Sequence, residues 1–112
     1  MASLVHRWIE LSSEPMSVEA IRKLHIPAAH FRVSPNRYAV GSVFPGTGMA
    51  GRIYVLLGRC SKVIGDWRAE LTPGTYADFP AGSYEFKVLG TQDVEVVNVW
   101  EIPEGYRVPS DA

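Results

Sequence analysis

From about residue 29 onward, glycine and proline interrupt the chain at short intervals, and this spacing restricts the possible folds more than any other feature. The runs between the interruptions are short and rich in β-branched and aromatic side chains. In residues 67–71 apolar positions alternate with Arg68 and Glu70, which is the period of a strand with one face buried. The pattern predicts an all-β fold.

Short strands separated by turns account for most of the chain. The predicted turns contain residues that tolerate turn dihedrals, and Gly65-Asp66 is expected to form a tight hairpin. The glycine-rich run 46–51 is interpreted as a flexible loop. The predicted turns are 34–36, 45–48, 65–66, 72–74 and 90–93, and the predicted strands are 6–11, 30–33, 37–44, 52–57, 61–64, 67–71, 75–79, 83–88 and 94–102.

One short helix is predicted before the strands. Ser17 can accept a backbone hydrogen bond as the N-cap, and Glu19 follows in the first turn. Arg22 and Lys23 lie toward the negative end of the helix dipole, and Pro27 stops the helix. We therefore expect one or two turns of surface helix.

Length and charge narrow the function classes. The 112 residues suit a single domain, 1–112, with an N-terminal strand and helix in 1–28, a barrel in 29–103 and a tail in 104–112. With 12 acidic and 11 basic residues the net charge is -1, so no nucleic-acid partner is expected. No apolar stretch approaches the ~18 residues of a membrane helix, so no membrane partner is expected either.

The cellular location is predicted from the cysteine and from the N-terminus. The lone Cys60 cannot form an intramolecular disulfide, and no secretory signal pattern opens the sequence. A cytoplasmic location is expected.

The composition of the last predicted strand, 94–102, indicates that both of its faces are buried. Val94, Val96, Asn98 and Trp100 fall on one side and valines on the other. A second subunit would provide such cover, so we expect a homodimer. The alternative is that both faces are covered within one chain.

The run 74–85 carries a resemblance to a known family. Gly74, Pro80 and Gly82 fit the pattern G-x5-P-x-G-x2-H-x3-N, whereas Glu85 stands at the histidine and Leu89 at the asparagine. This run resembles the second motif of the cupin family, and the similarity extends over about 37–103. It implies a double-stranded β-helix, or jelly-roll barrel, as the fold.

The family's first motif, G-x5-HxH-x3–4-E-x6-G, is similar only in its tail, 53–58. Either Gly51 or Arg52 falls at its glutamate, and both registers leave the histidine positions without histidine, since no histidine follows His30. The resemblance therefore implies a cupin without the usual metal ligands. We expect no metal and no other cofactor.

The resemblance also suggests site residues. It implies that Glu85 points into the barrel. There the carboxylate would pair with Arg52 or keep a raised pKa and act as an acid or base. The alternative is that Glu85 turns to the rim of the barrel and is solvated. Aromatic side chains on barrel strands suit a small organic ligand. The candidate catalytic residues are Glu85, Tyr54 and Tyr84, and the candidate ligand-binding residues are Arg52, Tyr54, Tyr76, Phe79 and Glu85.

Three functions remain open at this point. The first is a metal-independent module that binds or senses a small molecule, accessory to a metabolic pathway. The second is a metal-independent isomerase, epimerase or cyclase that uses Glu85 and a tyrosine as acid and base. The third is a metal-dependent, dioxygenase-like enzyme with displaced ligands. The sequence leaves open whether the protein is an enzyme.

Overall fold

The computed structural model describes residues 4–106, and two antiparallel sheets make up most of it. The five-stranded sheet has the order β1-β7-β4-β9-β2 and the four-stranded sheet the order β3-β8-β5-β6. The strands are β1 (His6–Arg7), β2 (Phe31–Tyr38), β3 (Val43–Gly48), β4 (Gly51–Leu57), β5 (Arg59–Ile64), β6 (Trp67–Leu71), β7 (Thr75–Phe79), β8 (Gly82–Leu89) and β9 (Val94–Glu101). The predicted all-β architecture is confirmed.

Helical structure is brief. The helix α1 (Val18–Leu24) begins after Ser17, whose hydroxyl accepts a hydrogen bond from the Ala20 amide at 3.0 Å, as the capping pattern predicts. Short 3-10 segments are Trp8–Glu10, Ala28–His30 and Glu104–Tyr106. The predicted strand 6–11 is wrong after Arg7, where the first of these segments begins. Among residues 4–106 no helix is long and apolar enough to cross a membrane.

Two predicted turns are wrong, and both corrections have the same cause. Residues 34–36 lie inside β2, and residues 45–48 lie inside β3, so the predicted flexible loop 46–51 shrinks to Met49 and Ala50. Both strands stand at the edge of their sheets. An edge strand tolerates a residue without a backbone donor, so Pro35 and Pro45 fit there. The real turn is at 39–42, within the predicted strand 37–44.

The other three predicted turns, 65–66, 72–74 and 90–93, each lie between two strands of the structure and are confirmed. The hairpin at Gly65-Asp66 is confirmed, because Ile64 pairs directly with Trp67 across it. Gly82 opens β8 with φ +142°, a conformation that side-chain-bearing residues rarely adopt.

The strand β9 is covered on both faces within the chain. Its inner face packs between the two sheets, where Val94 and Val96 join the main core. Its outer face packs under the N-terminal segment, where Val97 and Val99 join a cluster with Trp8 and Ile21. The sequence feature that suggested a second subunit thus has an explanation inside one chain. The homodimer and the divisions at 28/29 and 103/104 stay predictions, and residues 107–112 of the proposed tail lie outside the described residues.

Candidate functional site: the cavity between the sheets

A cavity of about 220 Å³ lies between the two sheets, and we call it the inner cavity. Inward-facing side chains from both sheets line it, so its wall combines aromatic rings with several polar groups. The lining residues are Ser34, Asn36, Tyr38, Thr47, Gly48, Met49, Lys62, Ile64, Phe79, Pro80, Gly82, Tyr84, Asn98 and Trp100.

Lys62 is the one charged residue of this lining. It lies on β5 and is only 5% exposed, between the inward-facing Cys60 and Ile64. Its Nζ lies 3.5 Å from the centroid of the Phe79 ring and 4.4 Å from that of Tyr84. Burial lowers the pKa of Lys62 to about 8, because a charged amine loses its hydration there.

Asn98 faces the same cavity from the opposite sheet. It lies on β9 and is 9% exposed. Its side-chain carbonyl oxygen, Oδ1, is buried, and no donor among the described residues forms a hydrogen bond with it. Buried polar atoms of this kind nearly always have a partner, so Oδ1 has an unused capacity to accept a hydrogen bond.

Aromatic side chains form another part of the wall. Tyr84 lies across the backbone of Gly46, where the ring occupies the space that a Cβ atom would need. Tyr38, Phe44 and Phe86 form a cluster beside it with ring centroids 4.9–5.2 Å apart. Burial, and to a lesser extent Tyr84, raises the pKa of the Tyr38 phenol, so this group stays neutral.

The inner cavity opens toward a groove of about 390 Å³. Ser34, Gly48, Met49 and Trp100 line both spaces, and the groove continues over Ile102 and Pro103. Nothing lies within 4 Å of the position where Gly48 would carry a Cβ atom. Gly48 therefore stands at the junction, with room for a side chain.

The lining does not fit a metal centre. Among the described residues its potential ligand atoms are hydroxyls, amides, one amine and the Met49 thioether, without the histidine, cysteine or carboxylate groups that usually bind transition metals in proteins. The Lys62 ammonium would also repel a cation. Within residues 4–106 no three side chains of these metal-binding types come together.

Several residues predicted for the site form a second cluster on the outer face of the five-stranded sheet. Arg52 donates to the Asp78 carboxylate at 2.6 and 3.1 Å and to the Tyr54 hydroxyl at 3.3 Å, and its guanidinium lies 4.6 Å from the Tyr76 ring centroid. His25 Nε2 is 2.8 Å from the same hydroxyl. We call Arg52, Tyr54, Asp78, His25 and Tyr76 the outer cluster.

The ionisation of the outer cluster follows from its contacts. Burial opposes the charge of Arg52, but the hydrogen bonds to Asp78 and Tyr54 outweigh it, so the pKa of Arg52 stands above its ordinary value. Burial raises the pKa of Tyr54. Burial, and then the nearby Arg52 charge, lowers the pKa of His25. The cluster thus contains a fixed ion pair, a neutral phenol and a histidine that resists protonation.

Glu85 lies on the outside of the four-stranded sheet. On β8 the residues Tyr84, Phe86 and Val88 face inward, and Glu85 faces outward with about half of its side chain exposed. Lys87 Nζ is 3.5 Å from its carboxylate. Of the three alternatives for Glu85, the solvated carboxylate is the one that agrees with the structure. The inward orientation and the pair with Arg52, whose partner is Asp78, are wrong.

The proposed site residues thus lie in three places. Phe79 and Tyr84 line the inner cavity, Arg52, Tyr54 and Tyr76 belong to the outer cluster, and Glu85 is on the opposite outer surface. Sequence reasoning missed Lys62 as a site residue. Its signal was the alternation Cys60, Lys62, Ile64, which puts a lysine on an apolar strand face. Asn98 was assigned to the correct face but not to a site.

Comparison with known proteins agrees with this architecture. No family model and no curated protein matches the chain. Among solved structures, the cupin_2 domain of an XRE family transcriptional regulator from Enterobacter cloacae is similar with a TM-score of 0.59 and 15% identity, over 68% of this chain and 85% of that one. A cupin superfamily protein from Desulfitobacterium hafniense has a TM-score of 0.56 and 16% identity, over 66% and 69%.

KdgF from Halomonas sp. is also similar, with a TM-score of 0.54 and 18% identity, over 69% of this chain and 74% of that one. The chain therefore has the cupin fold, and the resemblance identified from the run 74–85 is confirmed at the level of the fold. Identities this low carry the architecture and not the activity.

Proposed function

We propose that this protein binds a small organic ligand in the inner cavity without the help of a metal ion. The observation that carries the proposal is the composition of the cavity wall. The Lys62 ammonium is buried against two aromatic rings, and the same wall contains the Asn98 Oδ1 oxygen, which no donor in residues 4–106 satisfies. Ligand sites are typically apolar hollows with a few polar groups that orient the ligand.

The size of the cavity restricts the ligand. A cavity of roughly 150 Å³ can hold benzene, and pockets for drug-sized ligands run from about 300 Å³ upward. The inner cavity, at about 220 Å³, lies between these values. It suits a single ring or a short chain with one or two polar substituents.

Binding is favoured over acid–base catalysis by the positions of the candidate residues. Glu85 is exposed on the outside of the four-stranded sheet, and Tyr54 is buried on the outer side of the five-stranded sheet, so they cannot act together on one substrate. A role as a sensing module, accessory to a metabolic pathway, is supported by the cupin_2 domain of a transcriptional regulator among the similar structures. A cytoplasmic location and a homodimer complete the proposal, and sedimentation of the purified chain measures the latter.

The experiment blocks the opening of the inner cavity by a substitution at Gly48. In Gly48→Leu the new side chain projects into the open space at the junction of cavity and groove, without a backbone penalty. Gly105→Leu is the matched control, because it also meets nothing within 4 Å and does not line the cavity. A panel of small aromatic and aliphatic acids, amides and alcohols is screened by ligand-observed NMR on protein treated with a chelator.

We expect members of the panel to bind the parent protein and Gly105→Leu equally, and to bind Gly48→Leu at least about 10-fold more weakly. Adding divalent metal ions should leave the affinity unchanged. The proposal is overturned if no member binds the parent protein, if Gly48→Leu binds as well as the control, or if binding requires metal.

A further inference from the structure

Lys62 is a buried cation without a counter-ion in the part of the chain that the structure describes. Among the described residues no carboxylate forms an ion pair with it, since the ion pairs of the structure use Lys23, Arg37, Arg52 and Lys87. The lining of the inner cavity contains no acidic residue. The rings of Phe79 and Tyr84 offer only the weak attraction of an aromatic face for a cation. A buried charge with so little compensation favours the entry of an anion.

The contrast with the other basic side chains is informative. Arg37 and Arg52 each have an acidic partner within 2.6–3.4 Å, although both are more exposed than Lys62. These two side chains have an acidic partner although water already solvates part of their charge. Lys62 is more buried and would gain most from an acidic partner, and the described chain provides none.

Asn98 supplies a second and independent requirement. Its Oδ1 needs a donor, and Lys62 is on the other sheet of the same cavity. A ligand that satisfies both groups carries a negative charge for one and an N–H or O–H group for the other. Phe79, Tyr84 and Trp100 then leave an apolar surface for the body of the ligand.

We propose that the ligand is a small organic acid: its carboxylate pairs with the Lys62 ammonium, a hydroxyl or amino group donates to Asn98 Oδ1, and its ring or short chain packs on the aromatic wall. This inference rests on the proposed function, because it assumes that the inner cavity receives the ligand. It adds the chemical class of that ligand and the residue that selects it.

The test compares acids with their neutral counterparts. The probes are benzoate, 3-hydroxybenzoate, butyrate and 3-hydroxybutyrate, each with its primary amide. Affinities are measured by titration calorimetry at pH 7 on the parent protein and on Lys62→Met, Lys62→Gln and Lys62→Arg. Lys87→Met is the control, since Lys87 lies on the outer face of the neighbouring strand β8 with about half of its side chain exposed.

We expect the acids to bind the parent protein and Lys87→Met alike, and more tightly than the amides. Lys62→Met and Lys62→Gln should weaken acid binding by about 10- to 100-fold, the effect of losing a charged hydrogen bond, and change amide binding by less than about threefold. Lys62→Arg should retain most of the preference for acids. Two neutral variants are used so that a folding defect in one leaves the test intact.

A second readout addresses Asn98. In the parent protein the hydroxylated acids should bind more tightly than the unsubstituted ones, and in Asn98→Leu this ratio should fall toward one. If acids and amides bind equally to the parent protein, or if the neutral Lys62 variants keep the preference for acids, the inference is wrong while the proposed function stands. If no probe of either kind binds, both are wrong.

Discussion

The two faces of the five-stranded sheet carry polar groups in opposite states. On the outer face, hydrogen bonds of 2.6–3.3 Å link Arg52, Asp78, Tyr54 and His25. They run from the exposed Asp78 carboxylate to the Tyr54 hydroxyl, which is buried with the N-terminal segment. On the inner face, Asn98 Oδ1 has no donor and the Lys62 ammonium no acidic partner within residues 4–106, and both groups face the inner cavity. The polar groups of the outer cluster have partners within the chain, whereas Lys62 and Asn98 in the described chain do not.

This difference separates structure from function. A complete polar network holds one arrangement in place, and its residues gain nothing from a further partner. An incomplete set in a cavity destabilises the empty protein and is relieved by a ligand with matching groups. The outer cluster is therefore interpreted as the attachment of the N-terminal segment, and the inner cavity as the site. Each prediction below tests one side of this division.

The largest expected effect is on the outer face. Tyr54 is fully buried, and its ring contacts Trp8 and Tyr76 with centroids 5.8 and 5.6 Å apart. Tyr54→Ala should lower the free energy of unfolding by about 3–5 kcal/mol, because it leaves a cavity in the core. Tyr54→Phe should lower it by about 1–3 kcal/mol, since Arg52 and His25 each lose a partner. Urea denaturation followed by circular dichroism measures both.

The same variants distinguish stability from binding. Tyr54→Phe should leave the affinity for small acids within about twofold of the parent value, because the hydroxyl lies on the far side of the sheet from the inner cavity. A large loss of affinity with Tyr54→Phe, in protein that is still folded, would show that the outer cluster takes part in binding.

Lys62→Met should have the next largest effect, and in the opposite direction. Replacing a buried, unpaired charge with an apolar side chain of similar length should raise the free energy of unfolding at pH 7 by about 1–3 kcal/mol. The pKa of Lys62 is about 8 in the folded protein, below the 10.5 of an exposed lysine. The unfolded chain therefore binds more protons between about pH 8 and 10.5, and the parent protein gains stability relative to Lys62→Met as the pH rises through that window.

The comparison between variants is necessary because other groups titrate nearby. Burial raises the pKa of the Cys60 thiol from 9 to about 12. Above pH 9 the unfolded chain loses this proton first, so the thiol lowers the free energy of unfolding as the pH rises. The nearby Lys62 charge lowers the pKa of Cys60, so the contribution of the thiol differs between the two proteins above about pH 9. It cancels below that pH, where the thiol is neutral in both, so the comparison is made between about pH 8 and 9. Lys87→Met should change stability by less than about 0.5 kcal/mol at any pH in the window. An unchanged or reduced stability in Lys62→Met would contradict an uncompensated buried charge.

The sequence predicted the architecture well, and its errors have a shared physical cause. Strand period, the helix cap at Ser17 and the Gly65-Asp66 hairpin depend on local chemistry, and all three are confirmed. The turns predicted around Pro35 and Pro45 are wrong because an edge strand tolerates proline where a central strand does not. Which strand is at an edge depends on the pairing of the whole sheet, which no local pattern contains.

The site was harder to predict because strand phase decides it. The second cupin motif places Glu85 at the family's histidine, but on β8 the inward positions are Tyr84, Phe86 and Val88. A shift of one residue exchanges the two faces of a strand. No sequence motif identifies Lys62. Its assignment to the site depends on the absence of an acidic side chain from the described lining, which follows from the fold of the whole chain.

Glu85→Gln should have the smallest effect, and it tests directly which residues of β8 face inward. The carboxylate is about half exposed, and its Lys87 partner is 3.5 Å away on the same surface, where ion pairs contribute little. The free energy of unfolding should change by less than about 0.5 kcal/mol, and the affinities for acids and amides should not change. Because Glu85 and Tyr84 are adjacent on one strand, they must face opposite sides. An affinity that responds to Glu85→Gln but not to Tyr84→Leu would therefore mean that β8 presents its other face to the ligand, and the division between the inner cavity and the outer surfaces would have to be redrawn.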